Sequence, residues 1–193
     1  MNHGAVILAG GQSTRMGRDK ALLDVGGQPL LTRQINLAWA THATEVFISG
    51  RTGVDYSQFN CPILLDRLPG VGPLAGIERA LAALTSARLL VLAVDLPEMT
   101  ETLLNAMSEA SPEHLGAIPR LCGRIEPLAA FYPKTSLRLA QIALRCNNYS
   151  VTAFSQQCVH AGIAMFIELP AHQTKCFTNW NSPLDVEQRR LAG

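Results

Sequence analysis

One segment of the chain, RLLVLAVDLP at residues 88–97, contains an almost unbroken apolar run. A strand with one wet face alternates apolar and polar residues, whereas an unbroken run is typical of a strand buried on both faces. Shorter strand-like runs at 5–9, 45–50 and 62–66 are separated by stretches whose apolar residues recur every three or four positions, as in helices. This alternation predicts an α/β fold with a mainly parallel sheet and helices on both faces.

The same patterns predict the remaining elements. Helices are expected at 29–41, 74–87, from Thr100 onward, at 136–146 and at 182–193, and strands at 115–119, 127–132 and 163–170. The chain has 193 residues and shows no internal repeat or linker, so we expect a single domain spanning 1–193. Ligands of such folds bind beyond the carboxyl ends of the strands, where the loops after Leu8, Gly50, Leu65 and Val94 should gather.

Charge and hydropathy exclude several classes of partner. The formal net charge is only +1, which argues against nucleic acid and anionic membranes as partners. No apolar run approaches the ~20 residues of a membrane-spanning helix, and the first residues lack the basic and long apolar regions of a secretion signal. We therefore expect a cytoplasmic protein.

The cysteines and histidines predict neither a disulfide framework nor a metal centre. The five cysteines are scattered and include no Cys-x-x-Cys pair, and the five histidines show no ligand spacing. Reduced thiols are therefore expected.

The loop after the first strand is the strongest candidate for an anion site. It reads GGQSTRMGRDK from Gly10 to Lys20, and its three basic side chains against Asp19 give a local net charge of +2. Gly10 and Gly11 allow a ligand to approach backbone N–H groups closely. Lysine and arginine suit phosphate groups. The loop fits neither the G-x-G-x-x-G fingerprint nor the Walker A pattern. The structural alternative is a strand–turn–helix junction with a solvated basic rim.

Asp95 follows the most apolar strand directly, in the stretch VLAVDLP. Magnesium is commonly held by one or two carboxylates together with phosphate oxygens and water, so Asp95 is a candidate ligand. The alternative is an aspartate that caps a turn through its own backbone. Asp66 ends the preceding strand and has the same two interpretations.

Two further motifs suit a polar ligand. Residues 69–77, PGVGPLAGI, form a glycine-rich turn leading into a helix whose N-terminus could face an anion. Asn179 and Asn181 lie two residues apart in NWNSP, so on an extended backbone they face the same side. A tight turn and a helix-capping network are the structural alternatives.

Together, LAGGQSTRMGRDKALL, PGVGPLAGI, VDLP, EPLAAFY and NWNSP resemble the molybdenum cofactor guanylyltransferase family, within the wider group of nucleotidyltransferases. The resemblance runs from Ala5 to about Tyr132 and resumes at Asn179, whereas residues 134–176 carry little of it. It implies a three-layer, Rossmann-like nucleotidyltransferase fold.

The resemblance also implies roles for individual residues. Leu8, Ala9 and Gly10 would contact the nucleotide, with Asp66 beside it. Arg15 and Lys20 would meet the triphosphate, and Asp95 would hold Mg²⁺. Asn179 and Asn181 would face the pterin substrate or complete the metal region. Some relatives carry an asparagine near the position of Ser49, so a base or ribose contact at Ser49 stays open.

The implied reaction transfers GMP from GTP to the terminal phosphate of molybdopterin and releases pyrophosphate. Arg15, Lys20 and Asp95 are the expected catalytic residues, and proteins of cofactor biosynthesis are possible transient partners. Two alternatives stay open: a cytidylyltransferase or another sugar- or polyol-phosphate nucleotidyltransferase of the same fold, and a nucleotide-binding module without turnover.

Overall fold

The structure is a computed structural model that describes residues 2–10, 20–65 and 70–180. The strands in these ranges are β1 (His3–Leu8), β2 (Val46–Gly50), β3 (Ile63–Leu65), β4 (Arg88–Ala93), β5 (Gly116–Leu121), β6 (Arg124–Ile125), β7 (Ala129–Pro133) and β8 (Ala164–Leu169). The α-helices are α1 (Leu30–Ala40), α2 (Pro73–Ala83), α3 (Glu101–Glu109), α4 (Leu137–Arg145) and α5 (Val151–His160). Short 3₁₀ turns lie at Lys20–Leu22, Ser57–Phe59, Lys134–Ser136 and Ala171–Phe177.

The strands form one sheet in the order β3-β2-β1-β4-β7-β5-β6, and β8 pairs with β5. β3, β2, β1 and β4 are mutually parallel, and so are β5 and β8. β7 runs antiparallel to both of its neighbours because the short connections from β5 through β6 to β7 permit only antiparallel pairing. The predicted mainly parallel sheet is therefore confirmed in the half that carries the loop after β1.

Helices cover both faces of the sheet, as predicted. Ala5 and Ile7 of β1 face α1 and α3, whereas Val6 between them faces α2, α4 and α5. Every residue of β4 is buried, which confirms the interpretation of its unbroken apolar run. The result is a three-layer α/β fold in which each face of the sheet contributes its own core.

Several elements differ from the sequence prediction, and two of the differences concern helices. The sequence analysis predicts no helix at Val151–His160, yet α5 forms there, capped by Ser150, whose hydroxyl accepts from the N–H of Ala153. α2 ends at Ala83, earlier than expected, because the carboxylate of Glu45 binds the backbone and hydroxyl donors of Thr85 and Ser86.

The end of β4 positions the loop that carries Asp95. The strand ends at Ala93, one residue before the expected end at Val94, and Asp95 lies in the turn that follows. The N–H of Val94 donates to the carbonyl of Leu8 over 3.3 Å, which ties this turn to the end of β1. The closing helix predicted at 182–193 lies outside the described residues.

Candidate active site

A cavity of about 640 Å³ opens at the carboxyl ends of the parallel strands β1 to β4. This confirms that the loops after these strands gather at one edge of the sheet. The lining residues include Leu8, Ala9, Gly10, Lys20, Ser49, Gly50, Arg51, Thr52, Leu65, Gly70, Gly72, Pro73, Ala93, Val94, Asp95 and Leu128.

The segment after β1 forms the floor of the cavity. The N–H of Ala9 donates to the carbonyl of Ser49 over 2.9 Å, so the chain stays extended beside β2 for one residue past the strand. Gly10 then lines the cavity without a side chain, which leaves its backbone open to a ligand. The structure thus brings Leu8, Ala9 and Gly10 together at the cavity, where the resemblance places the nucleotide.

Lys20 and Asp95 lie on the same wall of the cavity. The ammonium of Lys20 is 3.6 Å from Oδ2 of Asp95, and each side chain retains about a fifth of its surface exposed, 20% and 23%. Lys20 comes from the 3₁₀ turn at Lys20–Leu22, and Asp95 from the turn after β4. Two residues that are 75 positions apart therefore present one cation and one carboxylate to the same space.

The Asn179–Trp180 segment is attached to the Asp95 turn by its backbone. The N–H of Trp180 donates to the carbonyl of Asp95 over 3.0 Å, and the Trp180 side chain is buried. Asn179 is exposed and is not part of the cavity wall. The expectation that Asn179 faces the pterin substrate or completes the metal region stays a prediction, and the structure does not bring Asn179 into the cavity itself.

The N-terminus of α2 forms another wall. Gly72 adopts a φ of +94°, which is open to glycine and strained for other residues, and Pro73 occupies the first turn of the helix. Gly72 and Pro73 both line the cavity. The glycine-rich turn that the sequence singled out therefore faces the same space as Lys20 and Asp95.

The sequence analysis missed Arg51, Thr52 and Leu128 as wall residues. Arg51 and Thr52 follow β2 just as Asp95 follows β4. Polar residues directly after a parallel strand are expected at the ligand-binding edge of the sheet, so the same argument could have identified them. Leu128 precedes β7, whose antiparallel entry beside β4 brings it to the cavity.

Four predicted site residues lie outside the described residues, namely Gly11, Arg15, Asp66 and Asn181. Their predicted roles stay predictions.

Among the described cavity residues there is no cysteine or histidine, and hence no Ser–His or Cys–His pair that would activate a covalent nucleophile. Cys158 is buried between α5 and the sheet, where burial raises the pKa of its thiol to about 12. No group of three or more histidine, cysteine, aspartate or glutamate side chains suited to a metal occurs within residues 2–10, 20–65 and 70–180. Over the same part of the chain, no helix has the length and apolar character needed to cross a membrane.

Comparisons with known proteins identify the family of this chain. The profile of the MobA-like NTP transferase domain matches residues 5–159. A protein of Opitutus terrae named "Probable molybdenum cofactor guanylyltransferase" is 36% identical over 187 residues, which cover 95% of this chain and 93% of the relative.

Solved structures share the fold. Molybdopterin-guanine dinucleotide biosynthesis protein A from Archaeoglobus fulgidus superposes with a TM-score of 0.75 at 19% identity, covering 98% of this chain and 97% of that one. The 2-C-methyl-D-erythritol 4-phosphate cytidylyltransferase of Thermus thermophilus gives a TM-score of 0.70 at 20% identity, with 97% of each chain covered. At these identities the likeness concerns the fold alone.

Proposed function

Because the chain belongs to the family of MobA-like NTP transferase domains, we propose that it transfers GMP from GTP to the terminal phosphate of molybdopterin and releases pyrophosphate. The observation that carries this proposal is the pairing of Lys20 with Asp95 on the wall of a cavity floored by the bare backbone at Gly10. A cation and a carboxylate side by side suit a triphosphate together with a divalent metal.

We place the two ends of GTP in different halves of the cavity. The triphosphate lies against Lys20 and Asp95, at the ends of β1 and β4. The guanine lies on the other side of Gly10, between the end of β2 and the N-terminus of α2. This orientation puts the anionic end of the nucleotide near the cation and its ring near Leu8, Leu65 and Pro73.

Asp95 fits a magnesium site. It supplies a hard oxygen donor, remains partly exposed and faces the cavity, and Mg²⁺ commonly uses one or two carboxylates and completes its shell with phosphate oxygens and water. When bound, the ion would offset charge on the phosphate oxygens. Lys20 would lie beside the same oxygens, since its ammonium is 3.6 Å from the Asp95 carboxylate.

The acceptor supplies the nucleophile, because a terminal phosphate is already anionic at neutral pH. One of its oxygens forms a bond to the α-phosphorus of GTP, and the bond from that phosphorus to the bridging oxygen of pyrophosphate breaks. Lys20 stabilises the charge that grows on the departing pyrophosphate, and we assign Arg15 to the same role. The absence of a cysteine or histidine from the described cavity residues suits such a reaction.

The acceptor approaches from the side of β7 and the Trp180 segment, because the donor occupies the side of β2 and α2. Asn179 and Asn181 then serve the pterin or complete the metal region. We place the reaction in the cytoplasm, where proteins of cofactor biosynthesis deliver the pterin through transient contacts.

The test is incubation of the purified protein with Mg²⁺, molybdopterin and each nucleoside triphosphate in turn, followed by mass analysis of the product. We expect molybdopterin guanine dinucleotide and pyrophosphate with GTP only. A cytosine dinucleotide from CTP would instead support the alternative that the cytidylyltransferase fold permits. GTP binding without formation of any dinucleotide product would favour the alternative of a nucleotide-binding module without turnover.

A further inference from the structure

The guanine half of the cavity contains one charged side chain among its described lining residues, the guanidinium of Arg51. Arg51 follows β2, whereas Asp95 follows β4, and β1 lies between these strands in the sheet. Since neighbouring strands are about 4.8 Å apart, the backbones at these two strand ends are separated by about 10 Å. The backbone of Arg51 therefore lies about two strand spacings from the backbone of Asp95, on the β2 side of the cavity.

The backbone that carries Arg51 is held in place by packing. Gly50 lies against Tyr56 so closely that a Cβ on residue 50 would be 2.7 Å from the Tyr56 ring, and Tyr56 is fully buried. The chain after Arg51 therefore folds back, so that Tyr56 packs against Gly50 at the end of β2. Arg51 itself is half-buried and lines the cavity.

The surfaces around Arg51 suit a flat ring. Gly50 pairs with Leu65 of β3, and Leu65 keeps 46% of its surface exposed although it lines the cavity. Leu8 and Pro73 line the same half. These apolar groups offer stacking surface in the same cavity that Arg51 lines.

We propose that Arg51 selects guanine by donating two hydrogen bonds to O6 and N7 of the base. Arginine carries donors only, in a planar fork, and guanine presents two neighbouring acceptors on this edge. Adenine presents one acceptor and one donor there, and the exocyclic group of cytosine is a donor. The inference rests on the proposed function, because it concerns the base of the same nucleotide.

The test compares the affinities of GTP, 7-deaza-GTP and inosine triphosphate by calorimetry. 7-Deaza-GTP lacks N7, and inosine triphosphate retains both O6 and N7. We expect the unmodified protein to bind 7-deaza-GTP about 10-fold more weakly than GTP, the effect of one lost charge-assisted hydrogen bond, and to bind inosine triphosphate nearly as well as GTP. In Arg51→Ala, GTP and 7-deaza-GTP should bind with equal affinity.

Arg51→Lys separates base recognition from simple charge. Lysine keeps the charge and its N–H donors but not the planar fork, so Arg51→Lys should retain only part of the preference for GTP over 7-deaza-GTP. Arg145→Ala, at an exposed arginine of α4, is the matched control and should keep the full preference.

Three results would overturn the inference: an unmodified protein that does not distinguish 7-deaza-GTP from GTP, an Arg51→Ala variant that weakens every nucleotide equally, and an Arg51→Lys variant with full discrimination. The first of these results is measured on the unmodified protein. The inference can therefore be tested even if a substitution at Arg51 impairs folding. A protein that binds no nucleoside triphosphate would refute the proposed function itself, which separates the two failures.

Discussion

Gly76 of α2 packs directly against Ser49 at the end of β2: a Cβ atom on residue 76 would lie 2.2 Å from Ser49 Oγ. Ser49 is buried and lines the cavity, and the N-terminus of α2 forms the wall beside it through Gly72 and Pro73. The contact between these two residues therefore sets how closely α2 approaches the sheet, and with it the width of the guanine half of the cavity.

Replacement of Gly76 by alanine should widen this half of the cavity. The added methyl group has no room beside the buried Ser49 hydroxyl, so the Ser49 side chain and α2 must adjust, at a cost of about 1–3 kcal/mol in the free energy of unfolding. We expect weaker GTP binding and a higher KM, with a smaller effect on kcat. Urea unfolding and steady-state kinetics measure the two effects.

Ser49→Ala provides the matched control for Gly76→Ala. Without the hydroxyl, the nearest atoms to the new methyl group are Cβ of residue 49 at 3.1 Å and Cδ2 of Leu8 at 3.2 Å, which small shifts accommodate. The double variant should therefore recover part of the lost stability and affinity. Strictly additive losses would show that the contact does not set the position of α2.

Asp95→Asn should abolish turnover and leave the fold intact. The substitution keeps the shape of the side chain and removes the charge that would hold Mg²⁺, so we expect kcat to fall by about 100-fold or more. Asp55→Asn, at an exposed aspartate outside the cavity, is the control. Full activity of Asp95→Asn at the usual magnesium concentration would remove Asp95 from the site.

Lys20→Ala should slow the chemical step and weaken GTP binding. Loss of the ammonium removes a charge beside the departing pyrophosphate, and we expect kcat to fall by about 100-fold. Single-turnover kinetics at saturating GTP isolate the chemical step. Unchanged kinetics would assign Lys20 to the solvated rim that the sequence left open as an alternative.

Stability should decline at acidic pH in part through Glu45. Partial burial raises the pKa of this carboxyl, but four hydrogen bonds from Ser86 and Thr85 outweigh burial and hold the pKa below its ordinary value of 4.5. The folded protein therefore binds the proton more weakly than the unfolded chain, and the stabilisation is present at neutral pH and lost as the pH falls below 4.5 through the folded pKa.

Glu45→Gln checks this prediction. Because the carboxylate is largely solvent-accessible, its charge-dependent contribution should be less than about 1 kcal/mol. The variant should be less stable than the unmodified protein at pH 7, with the difference shrinking towards pH 3.5 in thermal unfolding. A difference that stays constant over this range would show that the charge of Glu45 does not contribute.

The sequence predicts those site residues that lie directly after a strand. The buried run of β4 and the apolar strand β1 located Asp95 and Gly10, because side chains after parallel strands meet at one edge. The contact of Lys20 with Asp95 could not be predicted in this way, because it depends on the order of the strands in the sheet. The specific roles of both residues were implied by the family resemblance.

Other features depend on packing that no local pattern encodes. Leu128 reaches the cavity because β7 enters antiparallel beside β4. α5 was missed although Val151, Phe154 and Cys158 have helical spacing, because polar residues occupy much of the segment. The early end of α2 depends on Glu45, which lies 40 positions before Thr85.

The backbone hydrogen bond from Trp180 to Asp95 gives the protein a built-in optical reporter. The chain has two tryptophans, and the other, Trp39 of α1, is 46% exposed. In a Trp39→Phe variant all indole emission comes from beside the Asp95 turn. Occupancy of this wall can then be titrated by fluorescence, without an attached dye or a radioactive nucleotide.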